Sequence, residues 1–228
     1  MPARPAAHPS LLWRDDEGPV VDRAAALAHL AAADPDLGRA IRLVGPLDLE
    51  PPDLRSPFHY LQRAIIYQQL SGKAAGTIFG RFRRIYSPGG RRNPTPDQVL
   101  ATPEATLRSA GLSTAKSKAI IDLAAHAQKG TVPSRRDLAS LEPEAIIERL
   151  VQVRGVGRWT VEMLLIFHLG HPDVLPLGDL GIRKGFGRVF GVKRLPSPRT
   201  VARRGERWRP YRSIASWYLW RVLDLGLP

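Results

Sequence analysis

Leu150-Val151-Gln152-Val153-Arg154-Gly155-Val156-Gly157-Arg158-Trp159-Thr160 is the stretch whose reading decides the fold. Two glycines flank one apolar residue, which permits the backbone conformations of a tight turn, and their missing side chains let an anion approach the backbone N–H groups. Those groups lie where a new helix starts, and its dipole also favours negative charge. Upstream, Pro143 opens a short amphipathic segment, Glu144 to Val151; downstream, a helix runs from Arg158 to about Leu169 and closes on Gly170. Residues 143–169 therefore predict two helices joined by a glycine hairpin, a shape that can hold a phosphate backbone without reading bases. An ordinary helix-turn-helix connection writes the same Gly-x-Gly. The cations of Arg154, Arg158, Arg183 and Lys184 tilt the reading towards a polyanion by adding phosphate partners.

Working outward, Ser56-Pro57 opens a helix with Phe58, Leu61, Ala64, Ile65 and Gln68 at three- and four-residue spacing, ending near Gln69-Leu70. Ser71 caps a second helix to Tyr86, and Ser87-Pro88-Gly89-Gly90 breaks the chain into a basic loop. Thr95-Pro96 and Thr102-Pro103-Glu104 are further starts, Gly111 is a stop, and another helix spans about Ser113 to Gln128. One helix is expected after Asp179, ending near Gly191, and a closing helix from Tyr211 to Leu223. Strand signals are scarce and no internal repeat is visible. The fold class is all-α: two helical lobes, residues 1–20 as a tail, 21–52 with 176–228 as a terminal lobe, and 53–175 as a central bundle containing the hairpin.

Composition narrows the partner. In 228 residues Lys and Arg outnumber Asp and Glu by 34 to 21, a formal charge of +13, which suits a nucleic acid. The absence of cysteine excludes disulfides, thiolate zinc sites and cysteine-ligated iron–sulfur clusters. No apolar run approaches the roughly 18 residues of a membrane span, and Met1 to Ser10 lacks the apolar stretch of a secretory signal. A cytoplasmic location, at the bacterial nucleoid, is expected. The histidines His8, His29, His59, His126, His168 and His171 show no ligand spacing.

Three blocks carry a resemblance: Tyr67-Gln68-Gln69-Leu70-Ser71, the hairpin through Trp159-Thr160, and Pro176-Leu177-Gly178-Asp179-Leu180-Gly181-Ile182-Arg183-Lys184. A fourth runs from Arg209 to Trp220. Together they resemble the helix-hairpin-helix base-excision glycosylases, in particular the 3-methyladenine DNA glycosylase II family, over about Asp22 to the end. The amino-terminal β domain of the best-known pattern is not expected. The resemblance implies a monofunctional glycosylase that flips and hydrolytically excises alkylated bases from double-stranded DNA as a monomer. The substrates it implies are 3-methyladenine, 7-methylguanine and, further, 1-methyladenine, 3-methylcytosine or etheno bases. DNA and the extruded base are expected in the cleft between the lobes.

Residue by residue, the resemblance implies catalysis by Asp179, whose residue type equally suits a helix N-cap. Bond cleavage develops positive charge on the sugar, which a nearby carboxylate stabilises. Bifunctional relatives carry a lysine where this chain has Trp159, so no Schiff-base chemistry is expected. A flipped base wants aromatic walls: Trp159 and Met163, four residues apart on one helix face, together with Leu180 and Trp220. Electron-rich indoles prefer cationic rings. Relatives place aromatics where this chain has Met163 and Leu180, so a more open pocket is expected. Gln69 or Leu70 fills the hole left in the stack, a choice the sequence leaves open, beside Ser71. DNA contacts are implied at Gly155, Val156, Gly157, Arg158, Arg183 and Lys184. No cofactor is required; a sodium or potassium ion on the backbone carbonyls of Val151, Val153 and Val156 is implied. A non-catalytic hairpin protein that binds damaged DNA is the competing reading.

Overall fold

Seven helix starts in this chain share one device: a short polar side chain that accepts a backbone N–H of the first turn. Asp22, Ser56, Ser71, Thr95, Ser113, Asp179 and Ser197 all do so. The computed structural model describes residues 21–49, 56–138 and 140–225, and the tail expected over residues 1–20 lies outside them. Among the described residues there is no strand. In chain order the helices are α1 (Arg23–Ala33), α2 (Pro35–Val44), α3 (Pro57–Tyr67), α4 (Gly72–Tyr86), α5 (Pro96–Leu100), α6 (Glu104–Ser109) and α7 (Thr114–Gln128). They continue with α8 (Arg135–Leu138), α9 (Pro143–Leu150), α10 (Arg158–Leu164), α11 (Leu180–Val189), α12 (Pro198–Gly205) and α13 (Arg212–Asp224).

The chain divides into two compact units, one from Met1–Asp53 and Leu165–Pro228, the other from Leu54–Leu164. The sequence suggested a return to the terminal unit at residue 176, and the contacts set it earlier for a specific reason. Residues 171–174 are stitched to the start of α13: the Ser213 N–H donates to Pro172 O at 2.8 Å and its hydroxyl to His171 O at 2.6 Å. Arg212 adds a two-point pair with Asp173, Nε to Oδ1 at 2.6 Å and Nη2 to Oδ2 at 2.9 Å.

Two helix expectations change. The helix begun at Arg158 is α-helical to Leu164 and then widens into a π-type turn, Leu165–Leu169, before the expected stop at Gly170, where φ is 72°. This winding lets the His171 N–H reach back to Leu165 O at 2.8 Å. Between Asp179 and Tyr211 there are two helices rather than one. α12 was unread because Val201 and Gly205 are its buried residues among arginines, too few to create an apolar period.

The terminal unit packs α1, α2, α11 and α13 around Leu30, Leu37, Ile182, Phe186, Trp208 and Tyr218. α13 carries almost no polar face, Ser213 through Leu219 all being buried. α11 approaches it closely at Gly185, where an added Cβ would lie 2.0 Å from Leu219 O. The second unit centres on α3 and α7, with Leu61, Ile65, Ile66, Ile120 and Leu123 buried. Among the described residues, no helix is long and apolar enough to cross a membrane.

Candidate active site and nucleic-acid interface

In the second unit the chain between α9 and α10 turns through Arg154-Gly155-Val156-Gly157. Val156 is buried and anchors the loop, while Gly155 and Gly157 are exposed. Gly155 has φ +79°, and an added Cβ would sit 3.2 Å from the Ala119 methyl, so both conformation and contact demand glycine. The Val156 N–H donates to Val153 O at 3.0 Å, and the Arg154 N–H donates to Asp122 Oδ2 at 2.7 Å. Arg158 spans the two hairpin helices: Nη1 and Nη2 each meet a Glu144 oxygen at 2.7 Å, and Nε meets Glu162 Oε1 at 3.2 Å. That guanidinium holds the Glu144 carboxyl below the usual carboxylate range. Three of its five N–H groups thus have acceptors within the chain, while the side chain stays exposed.

The turn between α3 and α4 belongs to the same unit. α3 ends at Tyr67, and Gln69 takes φ +58°, a left-handed conformation that side chains other than glycine seldom adopt. Gln69, Leu70 and Ser71 are exposed, Leu70 being 39% so. The Gln68 side chain donates through Nε2 to Gly155 O at 2.9 Å, so this turn is fastened to the hairpin.

In the terminal unit Asp179 stands at the N-cap of α11. Its Oδ1 accepts the Ile182 N–H at 2.7 Å and the Trp220 Nε1–H at 2.9 Å. The residue is half-buried. The indole can reach it because residue 181 has no side chain; an added Cβ there would lie 2.8 Å from Trp220 Cδ1. Trp220 stacks on Phe167, with ring centroids 5.6 Å apart at 30°. Leu180 beside Asp179 is 51% exposed and Phe167 is 37% exposed, so large apolar side chains face outward next to a fixed carboxylate.

A helix-hairpin-helix with exposed glycines and a carboxylate-capped helix after it matches one family model over residues 62–210, that of the HhH-GPD superfamily of base excision DNA repair proteins. The chain belongs to that superfamily. As an HhH-GPD protein it is a DNA glycosylase of base excision repair and binds DNA. It is 36% identical to DNA-3-methyladenine glycosylase 1 of Schizosaccharomyces pombe, over 87% of this chain and 86% of the relative. The solved 3-methyladenine DNA glycosylase of the same yeast, in complex with abasic DNA, superposes with a TM-score of 0.75 at 37% identity, covering 86% of this chain and 95% of that one. The DNA-3-methyladenine glycosidase of Bacillus halodurans gives 0.77 at 32% identity, covering 86% and 87%.

Within this HhH-GPD fold the residues singled out from the sequence fall into two sets. Gln69, Leu70, Ser71, Val151, Val153, the hairpin Gly155 to Arg158, Trp159 and Met163 lie in the second unit. Asp179, Leu180, Arg183, Lys184 and Trp220 lie in the terminal unit. Trp159 is 49% exposed, as suits a contact residue, and Met163 is half-buried. Lys184 is exposed, whereas Arg183 is half-buried and donates from Nε to Pro196 O at 2.8 Å. Trp217, by contrast, packs in the core of the terminal unit. Phe167 was missed. Its spacing, four residues beyond Met163 and eight beyond Trp159, continues the same stripe and could have flagged it. Among the described residues no cluster of three or more His, Cys, Asp or Glu is gathered as for a metal.

Proposed function

We propose that this DNA glycosylase hydrolyses the N-glycosidic bond of alkylated bases in duplex DNA without cleaving the strand. The observation that carries the reading is the fixed carboxylate: Asp179 Oδ1 is held by the Ile182 and Trp220 N–H groups at the mouth of α11. We assign this fixed carboxylate to the sugar. As the bond from C1′ to the base breaks, the base leaves with the electron pair and the sugar becomes oxocarbenium-like. The carboxylate stabilises that charge, water adds to C1′, and its proton passes to solvent, leaving an abasic site. A purine alkylated at N3 or N7 is cationic and leaves readily, so one carboxylate suffices for it.

Residue 159 is Trp, so no amine stands there to form a Schiff base, which supports a monofunctional reaction. The stack of Trp220 and Phe167 offers a π-face to a cationic ring, worth about 0.5–2 kcal/mol depending on desolvation. Trp159, Met163 and Leu180 keep the contacts to an extruded base that the family resemblance gives them. Gly155, Val156, Gly157 and Lys184 meet phosphates. The wedge is Leu70: it is exposed and apolar, and it follows the left-handed Gln69. The backbone carbonyls of Val151, Val153 and Val156 suit a hard monovalent cation; Val153 O accepts one N–H and retains a second lone pair. Such an ion would add positive charge at the hairpin and favour a phosphate there. We take the protein to act as a monomer.

The test is base release from methylated duplex DNA, with 3-methyladenine and 7-methylguanine separated and strand nicking scored before alkali. Release without nicking is expected. Nicking in proportion to release would refute the monofunctional assignment, and DNA binding without release of any alkylated base would replace it with a binding protein.

A further inference from the structure

One face of α7 holds both DNA-facing loops of the second unit. Lys116, Ala119 and Asp122 recur every three residues and so lie along one side of the helix. At its start, Lys116 Nζ donates to Ile66 O at 2.6 Å and to Gln68 O at 2.8 Å. These carbonyls sit at the end of α3, where helical acceptors run short and a cation is favoured. Burial lowers the Lys116 ammonium from its ordinary range, so the group stands in a partly dry site. One turn on, the Ala119 methyl lies against Gly155, and one turn further Asp122 Oδ2 accepts the Arg154 N–H. The Gln68 amide closes the circuit directly onto Gly155 O. Between these ties lies Gln69, whose left-handed backbone persists where its surroundings over-determine it.

We propose that Lys116, with Gln68 and Asp122, is a positioning residue: α7 sets the spacing between the Gln69-Leu70 turn and the glycine hairpin, so that a strand held at the hairpin meets the wedge in register. The inference rests on the reading of these two loops as DNA contacts. None of the three residues needs to touch DNA. Removing the ammonium frees two carbonyls, lets Gln69 relax, and loosens the wedge while the hairpin and the overall charge remain.

The test uses a duplex with 2-aminopurine beside a tetrahydrofuran abasic analogue, whose fluorescence rises on wedge insertion, together with single-turnover release of 7-methylguanine and affinity for undamaged duplex. Lys116→Met is expected to lower the fluorescence rise and the release rate by about tenfold or more, with undamaged-duplex affinity unchanged within about twofold. Lys116→Arg restores most of both. Gln68→Ala and Asp122→Ala, which leave α7 and α3 packed, give smaller losses in the same direction and keep the test open if Lys116→Met folds poorly. Full fluorescence and rate in the folded variants would overturn the brace. An equal fall in undamaged-duplex affinity would also overturn it, making Lys116 a phosphate contact. No fluorescence rise and no release with the unmodified protein would instead overturn the reading of the loops, and the brace with it.

Discussion

Asp34 and Asp179 occupy the same kind of position in the same unit and do opposite things. Each precedes a helix, and each accepts an indole N–H: Asp34 from Trp208 at 3.1 Å, Asp179 from Trp220 at 2.9 Å. Asp34 is fully buried, and both of its oxygens are spent on a two-point pair with Arg204 at 2.7 Å, which also reaches Asp36. Its charge is cancelled where it sits and ties α12 to the α1–α2 corner. At Asp179 the cap and the indole converge on Oδ1, and the neighbours Leu180 and Phe167 are exposed. A carboxylate with an indole partner is therefore a lock where it is fully buried against a guanidinium, and suited to chemistry where it is half-buried beside exposed apolar side chains.

The comparison can be broken by exchanging the two roles. The largest effect belongs to Asp179→Asn: a fall of about 10³-fold in the excision step, with folding stability changed by less than about 0.5 kcal/mol because Asn caps a helix as well as Asp. Asp34→Asn should do the reverse. It leaves Arg204 without its partner carboxylate and costs about 3 kcal/mol in urea denaturation, while excision per folded molecule stays within twofold of the parent, or about 0.4 kcal/mol. Trp220→Phe keeps a ring against Phe167 but deletes the N–H to Oδ1; a slowing of about tenfold, ~1.4 kcal/mol, is expected in single-turnover release.

Asp34 also gives the fold a pH dependence. Burial raises the Asp34 carboxyl, but the hydrogen bonds from Arg204 and Trp208 and the Arg204 charge outweigh it and bring it below the usual carboxylate range. The folded state thus binds this proton less tightly than the unfolded chain. Asp34 therefore stabilises the fold above the unfolded carboxyl pKa of about 4, and the contribution is lost as pH falls through the lower folded value. Thermal melts between about pH 5 and 2 should show a shallower acid decline in Asp34→Asn than in the parent; parallel curves would contradict the linkage.

Much of this was legible because it is written locally. Caps such as Ser56, Ser71 and Ser113 announce helices within three residues, and Gly155 of the hairpin answers to a left-handed backbone and a close approach to Ala119. Asp179 was readable as a cap from its type and place. What stayed hidden depends on contacts far apart in sequence. That Asp34 pairs with Arg204, or that Lys116 reaches the end of α3, leaves no periodic trace, since each is one polar residue on an otherwise ordinary helix. α12 escaped for the opposite reason, having too little apolar surface to show a period. Arg158 reads in the sequence as a phosphate partner, and Glu144 fourteen positions away gives no sign that the two will pair.

The most direct test of the central claim is single-turnover release of 7-methylguanine by Asp179→Asn, measured beside its melting temperature and its affinity for duplex DNA. The account predicts a protein that folds and binds as the parent does and excises about 10³-fold more slowly. Excision within a few-fold of the parent would contradict it, and would leave Asp179 as a helix cap.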